Sequence, residues 1–227
     1  MILFGTIVNA AAIILGGVVG TFAKKGIPER FGNLIVNALG LFTAILGIMF
    51  AIGSKKIEIV VFSLIIGAFI GEAIDIEKRL DNFGRNVQNK LKGLSGNFSQ
   101  GFVTSSLLFC IGSMAIMGSL QSGLLNDHRI LLTKSFMDGV FALIFASTMG
   151  IGVAASAIAV FIYQGSMTLL AASVAGYLSE PVITEMSAAG GVLLLGLAIS
   201  ILDIKKIKVG NLLPAIFIPI ILMMFIK

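Results

Sequence analysis

Apolar residues in this chain run on for about twenty positions at a time, without the strict alternation that a strand would impose. The runs fall at about 2–23, 33–53, 57–74, 100–120, 136–153, 155–178, 187–203 and 211–226. Roughly twenty apolar residues is the length an α-helix needs to cross the hydrocarbon of a bilayer. Lipid offers the backbone no water to bond, so a spanning segment has to be a helix or part of a closed barrel. Barrel strands would read as segments of about ten residues alternating apolar and polar; "AILGIMFAI" and "VLLLGLAISIL" do not. The pattern therefore predicts an all-α, polytopic transmembrane helical bundle of about eight spans, a single transmembrane domain over residues 1–227. The weakest division is between the fifth and sixth runs, where only "GIGVAAS" intervenes. Seven spans with a re-entrant element near Gly150 is the alternative.

One segment has a different period. In "IEKRLDNFGRNVQNKLKGLSGN", Ile76, Leu80, Phe83, Val87 and Leu91 recur at helical steps, while Lys78, Arg85, Asn89 and Lys92 occupy the other face. A cytoplasmic amphipathic segment at about 76–95 is expected, lying on an anionic membrane surface or forming a solvated hairpin.

Composition agrees with the pattern. Of the 227 residues 57% are hydrophobic and 12% charged, with a mean hydropathy of +1.06, whereas a soluble domain carries about 25% charge. A water-soluble fold is excluded. The net charge of +5 does not point to nucleic acid, because the bases lie in short loops, where they set orientation. Eleven of the sixteen (Lys24, Lys25, Arg30, Lys78, Arg79, Arg85, Lys90, Lys92, Lys205, Lys206, Lys208) fall on one side, and Lys55, Lys56, Arg129, Lys134 and Lys227 on the other. The first side is read as cytoplasmic, which puts both termini outside if the span count is even. Residues 2–23 read as the first span and not as a signal peptide, since no base precedes them and the apolar stretch is long. Cys110 stands alone, so no disulfide framework or cysteine metal site is available.

Glycines four apart, as in Gly16/Gly20 and Gly67/Gly71, let helix backbones approach closely. Setting residues 40–70 against 190–220 aligns Gly40 with Gly190 and Lys55-Lys56-Ile57 with Lys205-Lys206-Ile207. The two hairpins would have opposite orientation, an inverted repeat of the kind many carriers contain.

Polar groups inside the spans are few: Asn9, Asn37, Glu72, Asp75, Asp138, Tyr163 and Gln164. Groups of this kind are costly in lipid and are expected to face the bundle interior or water. Glu72 and Asp75 share one helix face and either gather a cation or pair with Lys78 or Arg79. Asp138 either caps a helix N-terminus or lines a path together with Ser135, Ser147, Thr148 and the carbonyls freed by a Gly150/Gly152 break. Tyr163 and Gln164 stand with Ser166 and Thr168, as path residues or as interhelical hydrogen bonds. The single histidine, His128, lies in a loop, and there is no paired-histidine zinc pattern, nucleophile elbow or P-loop. No enzyme activity and no cofactor are expected, and a metal is left open.

"CIGSMAIMGSLQSGL" at 110–124 and the "KSFMDGVFALIFASTMGIGVAASAIAVFIYQGSMTLLA" that begins at Lys134 resemble a bacterial membrane family, domain of unknown function 554, the YdfK/YqgA-like proteins. "GTIVNAAAIILGGVVG" and "IIGAFIGEAIDIEKRLDNFG" extend the resemblance to essentially the whole chain. It implies a multi-pass protein of the bacterial cell (inner) membrane with seven or eight helices, and it carries over no ligand residues. The residues themselves lead to a transporter or channel for a small ion or solute, its path drawn from Asp138, Tyr163, Gln164, Glu72, Asp75 and Asn37. The alternative is a non-transporting sensor or scaffold acting through the basic amphipathic helix. The partners expected are the lipid bilayer and a small cation or solute, with no nucleic acid; a homo-oligomer is left open.

Overall fold

A computed structural model describes residues 1–24, 28–79, 82 and 98–225. Among them the regular elements are all helical. They are α1 (Phe4–Lys24), α2 (Glu29–Ala51), α3 (Ile57–Ile74), α4 (Phe98–Cys110), α5 (Ser113–Leu125), α6 (Arg129–Met149), α7 (Gly152–Leu169), the short α8 (Ala171–Val174), α9 (Glu180–Ile201), a 3-10 helix (Val209–Ile216) and α10 (Ile218–Phe225). Six of them are long and apolar enough to cross a membrane: α1, α2, α3, α6, α7 and α9. α4 and α5, bent by 62° at their junction, form either one broken span, which would make seven, or a re-entrant loop. The all-α polytopic bundle expected from the hydropathy pattern is what the chain forms.

The last apolar stretch, Val209–Phe225, is shorter, and its geometry makes up part of the difference. A 3-10 helix rises about 2.0 Å per residue against about 1.5 Å in an α-helix. Eight residues of each therefore extend about 28 Å, close to the roughly 30 Å of hydrocarbon. Pro214, which lacks the N–H an α-helical turn would need, sits within the 3-10 stretch.

Helix ends follow local chemistry. α6 stops at Gly150, which takes φ 82°, and α7 begins two residues later. Asp75 closes α3 in the left-handed conformation at φ 55°, its N–H reaching the Glu72 and Gly71 carbonyls. Pro181 stands in the first turn of α9, where its missing N–H costs nothing. Large apolar side chains such as Phe22, Phe69, Phe136 and Leu15 are exposed, as expected where lipid is the solvent.

Two of the expected details change. α6 starts at Arg129, a full two turns before the run that begins at 136, so Lys134 is a helix residue and not a loop base. The internal break lies at Ile111–Gly112, between α4 and α5; Gly150 instead marks the turn between two separate spans. Of the amphipathic segment expected at about 76–95, residues 76–79 and 82 are described and are helical; the rest lies outside the described residues.

The chain divides into two compact units. The first comprises Met1–Val36, Asp81–Cys110 and Met114–Ser173; the second comprises Asn37–Leu80, Ile111–Ser113 and Val174–Lys227. In the first unit α1 runs parallel to α6: Gly5 faces Leu131, Gly16 faces the Gly139 carbonyl and Gly20 the Leu143 carbonyl. A Cβ at Gly16 or Gly20 would collide with those oxygens, so the expected role of this glycine pair as a close helix contact holds. α7 runs antiparallel to α1, with Gly17 against Ala154 and Gly165 near Thr6. In the second unit α2 and α9 cross antiparallel, Gly47 against Gly191 and Gly40 against Ile201 and Leu202. α3 lies antiparallel on the 3-10 helix, Gly67 against Ala215 and Gly71 against the Asn211 carbonyl.

These pairings have a common register. A shift of 150 residues, the one that superposes Lys55-Lys56-Ile57 on Lys205-Lys206-Ile207, carries α1 onto α7–α8, α2 onto α9 and α3 onto the 3-10 helix with α10, each to within three residues at either end. α1 and α7, α2 and α9, and α3 and the 3-10 helix run antiparallel, the arrangement an inverted repeat requires.

Candidate functional site

α6 is nearly uniform in hydrophobicity around its circumference, and its two buried charges stand out against that background. Lys134 and Asp138 are four residues apart, one turn, and so share a face. The Lys134 ammonium bonds both carboxylate oxygens, at 2.8 Å to Oδ1 and 2.7 Å to Oδ2. The side chains are 8% and 5% exposed. Asp138 is the tenth of the 21 residues of α6, the middle of a span, where an unpaired charge is least tolerable.

Two other helices complete the cluster. The fully buried Asn9 of α1 donates through Nδ2 to Asp138 Oδ2 at 3.0 Å and to Gln164 Oε1 of α7 at 3.2 Å. Gln164 is also fully buried. The amides thus link the pair to α7, but half of each is left over: Asn9 Oδ1 and Gln164 Nε2 have no hydrogen-bond partner. Neither do the buried hydroxyls of Thr6, three residues before Asn9, and Thr168, four after Gln164. Both lie on the same helix faces as those amides. A buried polar atom with no partner carries a desolvation penalty of about 1–3 kcal/mol.

Of the residues singled out from sequence, Asp138 and Gln164 come together here. The reading of Asp138 as an N-cap does not hold, because the helix begins nine residues earlier, with His128 in the cap position. Lys134 is the partner of Asp138 that a hydropathy window missed, although an acid and a base four apart in a helix is a legible signal. Tyr163 is half-buried, and its carbonyl accepts the Ser166 hydroxyl at 2.9 Å. Asn37 is exposed on α2.

Glu72 and Asp75 belong to the second unit. Glu72 is bonded by Lys208 at 2.8 Å and by Asn211 Nδ2 at 2.6 Å. Lys208, and not Lys78 or Arg79, is thus its basic partner. Glu77 accepts the Gly210 N–H at 2.7 Å, and its own N–H donates to Asn211 Oδ1. Beside this network a cavity of about 420 Å³ is lined by Ala68, Phe69, Glu72, Ile207, Lys208, Asn211 and Leu212. The Glu72 carboxylate holds the Lys208 ammonium above the usual lysine range. Asp75 is half-buried at the α3 terminus.

A second carboxylate escaped the sequence reading. Glu185 of α9 is 1% exposed. It accepts the Ser54 hydroxyl at 2.6 Å and the N–H groups of Lys55 and Lys56 at 2.8 and 3.1 Å. It therefore ties down, from another helix, the turn that leads into α3.

Residues 4–224 match the family described as "Protein of unknown function (DUF554)". The chain belongs to that family. It is 37% identical over 221 residues to "Uncharacterized membrane protein YdfK" of Bacillus subtilis (strain 168), covering 96% of this chain and 94% of that protein. It is 32% identical over 219 residues to "Uncharacterized protein YqgA" of Escherichia coli (strain K12), covering 94% and 93%. No solved structure matches it.

Among the described residues no group of three or more His, Cys, Asp and Glu side chains is placed to hold a metal ion. Ser122 Oγ and His128 Nδ1 lie 2.7 Å apart, as a nucleophile and its base would. The Ser122 hydroxyl, however, donates to the Ile2 carbonyl at 2.9 Å. The imidazole must then be the donor to Ser122, the reverse of what activation of a nucleophile needs.

Proposed function

We propose that the protein is a transporter or channel for a small ion or solute in the bacterial inner membrane, without enzyme activity, and that the Lys134–Asp138 pair with Asn9 and Gln164 is the polar centre of its path. The observation that carries this reading is the ion pair at mid-helix, bonded to a buried amide chain whose remaining polar atoms have no partner. A bundle held together only by packing gains nothing from such a cluster: apolar residues of similar volume would be as stable or more so. Ionisable groups in mid-membrane mark ion and solute paths.

Depth supports the same reading. In the antiparallel α1–α7 pair, the residues that both face one another and stand 150 apart fall near Ala11 and Phe161. Asn9 and Gln164 lie within a turn of them. Carriers built from inverted repeats bind their cargo near the midplane, where the repeats meet. The test is flux into proteoliposomes across a panel of ions and small organic solutes, for the wild type and for Asp138→Asn. A species that moves with the wild type and not with the variant is the expected result. If nothing moves under an imposed gradient or potential, the reading fails.

A further inference from the structure

We infer that the cavity beside Glu72 and Lys208 binds a phosphatidylethanolamine lipid, with the primary ammonium of the headgroup on Glu72 and its phosphate on Lys208. The inference concerns the second unit alone and does not depend on the transport reading.

The place of the cavity in the fold suits a lipid. Glu72 stands in the last turn of α3, so the polar end of the cavity lies where that span leaves the hydrocarbon, on the face that the loop charges assign to the cytoplasm. Ala68 is one turn deeper, about 6 Å along the helix, and the exposed Phe69 stands beside it. With Ile207 and Leu212 they give the cavity an apolar body, while Glu72, Lys208 and Asn211 supply its polar side chains. Its volume of about 420 Å³ falls within the range of about 300–1,000 Å³ typical of small-molecule sites. A ligand that fits both ends is amphiphilic.

Charge then chooses among lipids. The groups that act on the Lys208 ammonium are the carboxylates of Glu72, Asp75 and Glu77. Lys205 and Lys206, exposed in the same turn, do not line the cavity. A purely anionic headgroup would meet three acids around one base, whereas a zwitterion finds a partner for each of its charges.

The contacts already present show how such a headgroup is received. Glu72 Oε1 accepts from the Lys208 ammonium at 2.8 Å and Oε2 from the Asn211 amide at 2.6 Å. That amide is fixed at its other end, because Asn211 Oδ1 accepts the Glu77 N–H at 2.6 Å and the Glu77 carboxylate accepts the Gly210 N–H at 2.7 Å. Glu72 therefore keeps its position without Lys208. The two side chains of the pair are 58% and 60% exposed, and an ion pair so well solvated contributes little to stability. The ammonium of a lipid can replace that of Lys208 on Oε1, and Lys208 turns its three donors to the phosphate on a flexible four-carbon stem. Choline has no N–H to give to Glu72, and a glycerol headgroup has no cation.

The test is binding of radiolabelled dioleoylphosphatidylethanolamine to the purified full-length protein in detergent. The competitors are unlabelled phosphatidylethanolamine, phosphatidylglycerol and phosphatidylcholine with the same chains, and water-soluble phosphoethanolamine. Phosphatidylethanolamine should compete at least about tenfold better than either other lipid, as one charge-assisted hydrogen bond implies. Phosphoethanolamine, with no chains for the apolar body, should compete least. Three variants separate the roles. Glu72→Gln should still bind lipid through Lys208 but no longer prefer phosphatidylethanolamine to phosphatidylglycerol, a change that misfolding cannot mimic. Lys208→Gln should weaken all three lipids alike. Ala68→Leu, which leaves both charges in place and fills the apolar body, should weaken them too. Wild type that binds phosphatidylglycerol or phosphatidylcholine as tightly as phosphatidylethanolamine, or that binds none of them, overturns the inference. So does a Glu72→Gln variant with the wild-type preference, or an Ala68→Leu variant with wild-type affinity. Competition by phosphoethanolamine as strong as by the lipid would make the ligand a soluble phosphoamine and overturn the lipid.

Discussion

Replacing Asp138 with alanine leaves the Lys134 ammonium buried and unpaired, so Asp138→Ala should lose about 3–5 kcal/mol of stability. The double change Lys134→Met/Asp138→Leu removes both charges and should recover most of that loss, to within about 1–2 kcal/mol of wild type. Thermal unfolding in detergent measures both. A double variant as unstable as the single one would mean that the pair itself holds the helices together. Asp127 is the contrasting case. The exposed Arg129 guanidinium bonds its carboxyl and holds it down to about 2 from an unfolded value near 4. Because the folded value is the lower one, whatever the pair contributes is present above about pH 4 and is lost as the pH falls through about 2. With Arg129 so exposed, Asp127→Asn should leave the melting temperature at pH 7 unchanged. The sequence marked Asp138 and Gln164 because a charge or amide in an apolar run is visible without a structure. It hid Lys134 because hydropathy ends a span at its first charge, although a base four residues before an acid is neutralised on the same face. Nor could it show that Asn9 bridges them, since that depends on which way α1 is rotated.

Among whole elements, the glycines decide which helices can touch. Gly20→Ala and Gly71→Ala each aim a methyl group at a backbone oxygen, of Leu143 and Asn211 respectively, and backbone cannot step aside as a side chain can. Each should cost about 1–3 kcal/mol by overpacking. Gly32→Ala, in α2 with nothing within 4 Å of the new methyl, should instead gain about 0.5–1 kcal/mol from helix propensity. All three changes are Gly→Ala in helices, so unfolding midpoints that move together would refute the contact explanation. Glu185 gives a different test. Glu185→Ala leaves the Ser54 hydroxyl and the amides of Lys55 and Lys56 without their acceptor, at about 1–3 kcal/mol for buried groups. Amide exchange at Lys55 and Lys56 should accelerate while that of the α9 core, around Leu193 and Leu194, does not. The span pattern was legible because lipid imposes one length on every helix. Helix ends were not, as the seven residues added to the start of α6 show: Arg129 and Lys134 satisfy their charges by pairing, which hydropathy does not register. The 3-10 geometry of Val209–Ile216 was hidden as well, since its apolar residues are those of any short span.

For the molecule as a whole, the inverted repeat and the loop charges make one joint prediction that a single labelling experiment can separate. Correction of α6 removes Lys134 from the loop bases, so the side assigned outside keeps four of its five, Lys55, Lys56, Arg129 and Lys227, against eleven. The positive-inside assignment keeps its direction. In the second unit the α2–α3 turn, residues 52–56, and the turn from α9 to the 3-10 helix, residues 202–208, are repeat counterparts on antiparallel hairpins. They must open on opposite faces of the membrane, although both contain a Lys-Lys pair that would draw each of them to the cytoplasm. Lys208 is engaged by Glu72 and Glu185 holds the Lys55–Lys56 backbone, so packing fixes these turns more firmly than their charge does. Ile52 is 75% exposed and Ile204 is 71% exposed, which makes both suitable reporter positions. In a Cys110→Ser background, Ile52→Cys should react with an impermeant thiol reagent in intact cells, and Ile204→Cys should react only after the membrane is opened. The reverse result would invert the orientation and leave the repeat intact. Equal reactivity of the two positions in intact cells would dissolve the repeat, because antiparallel hairpins cannot present both turns to the same side.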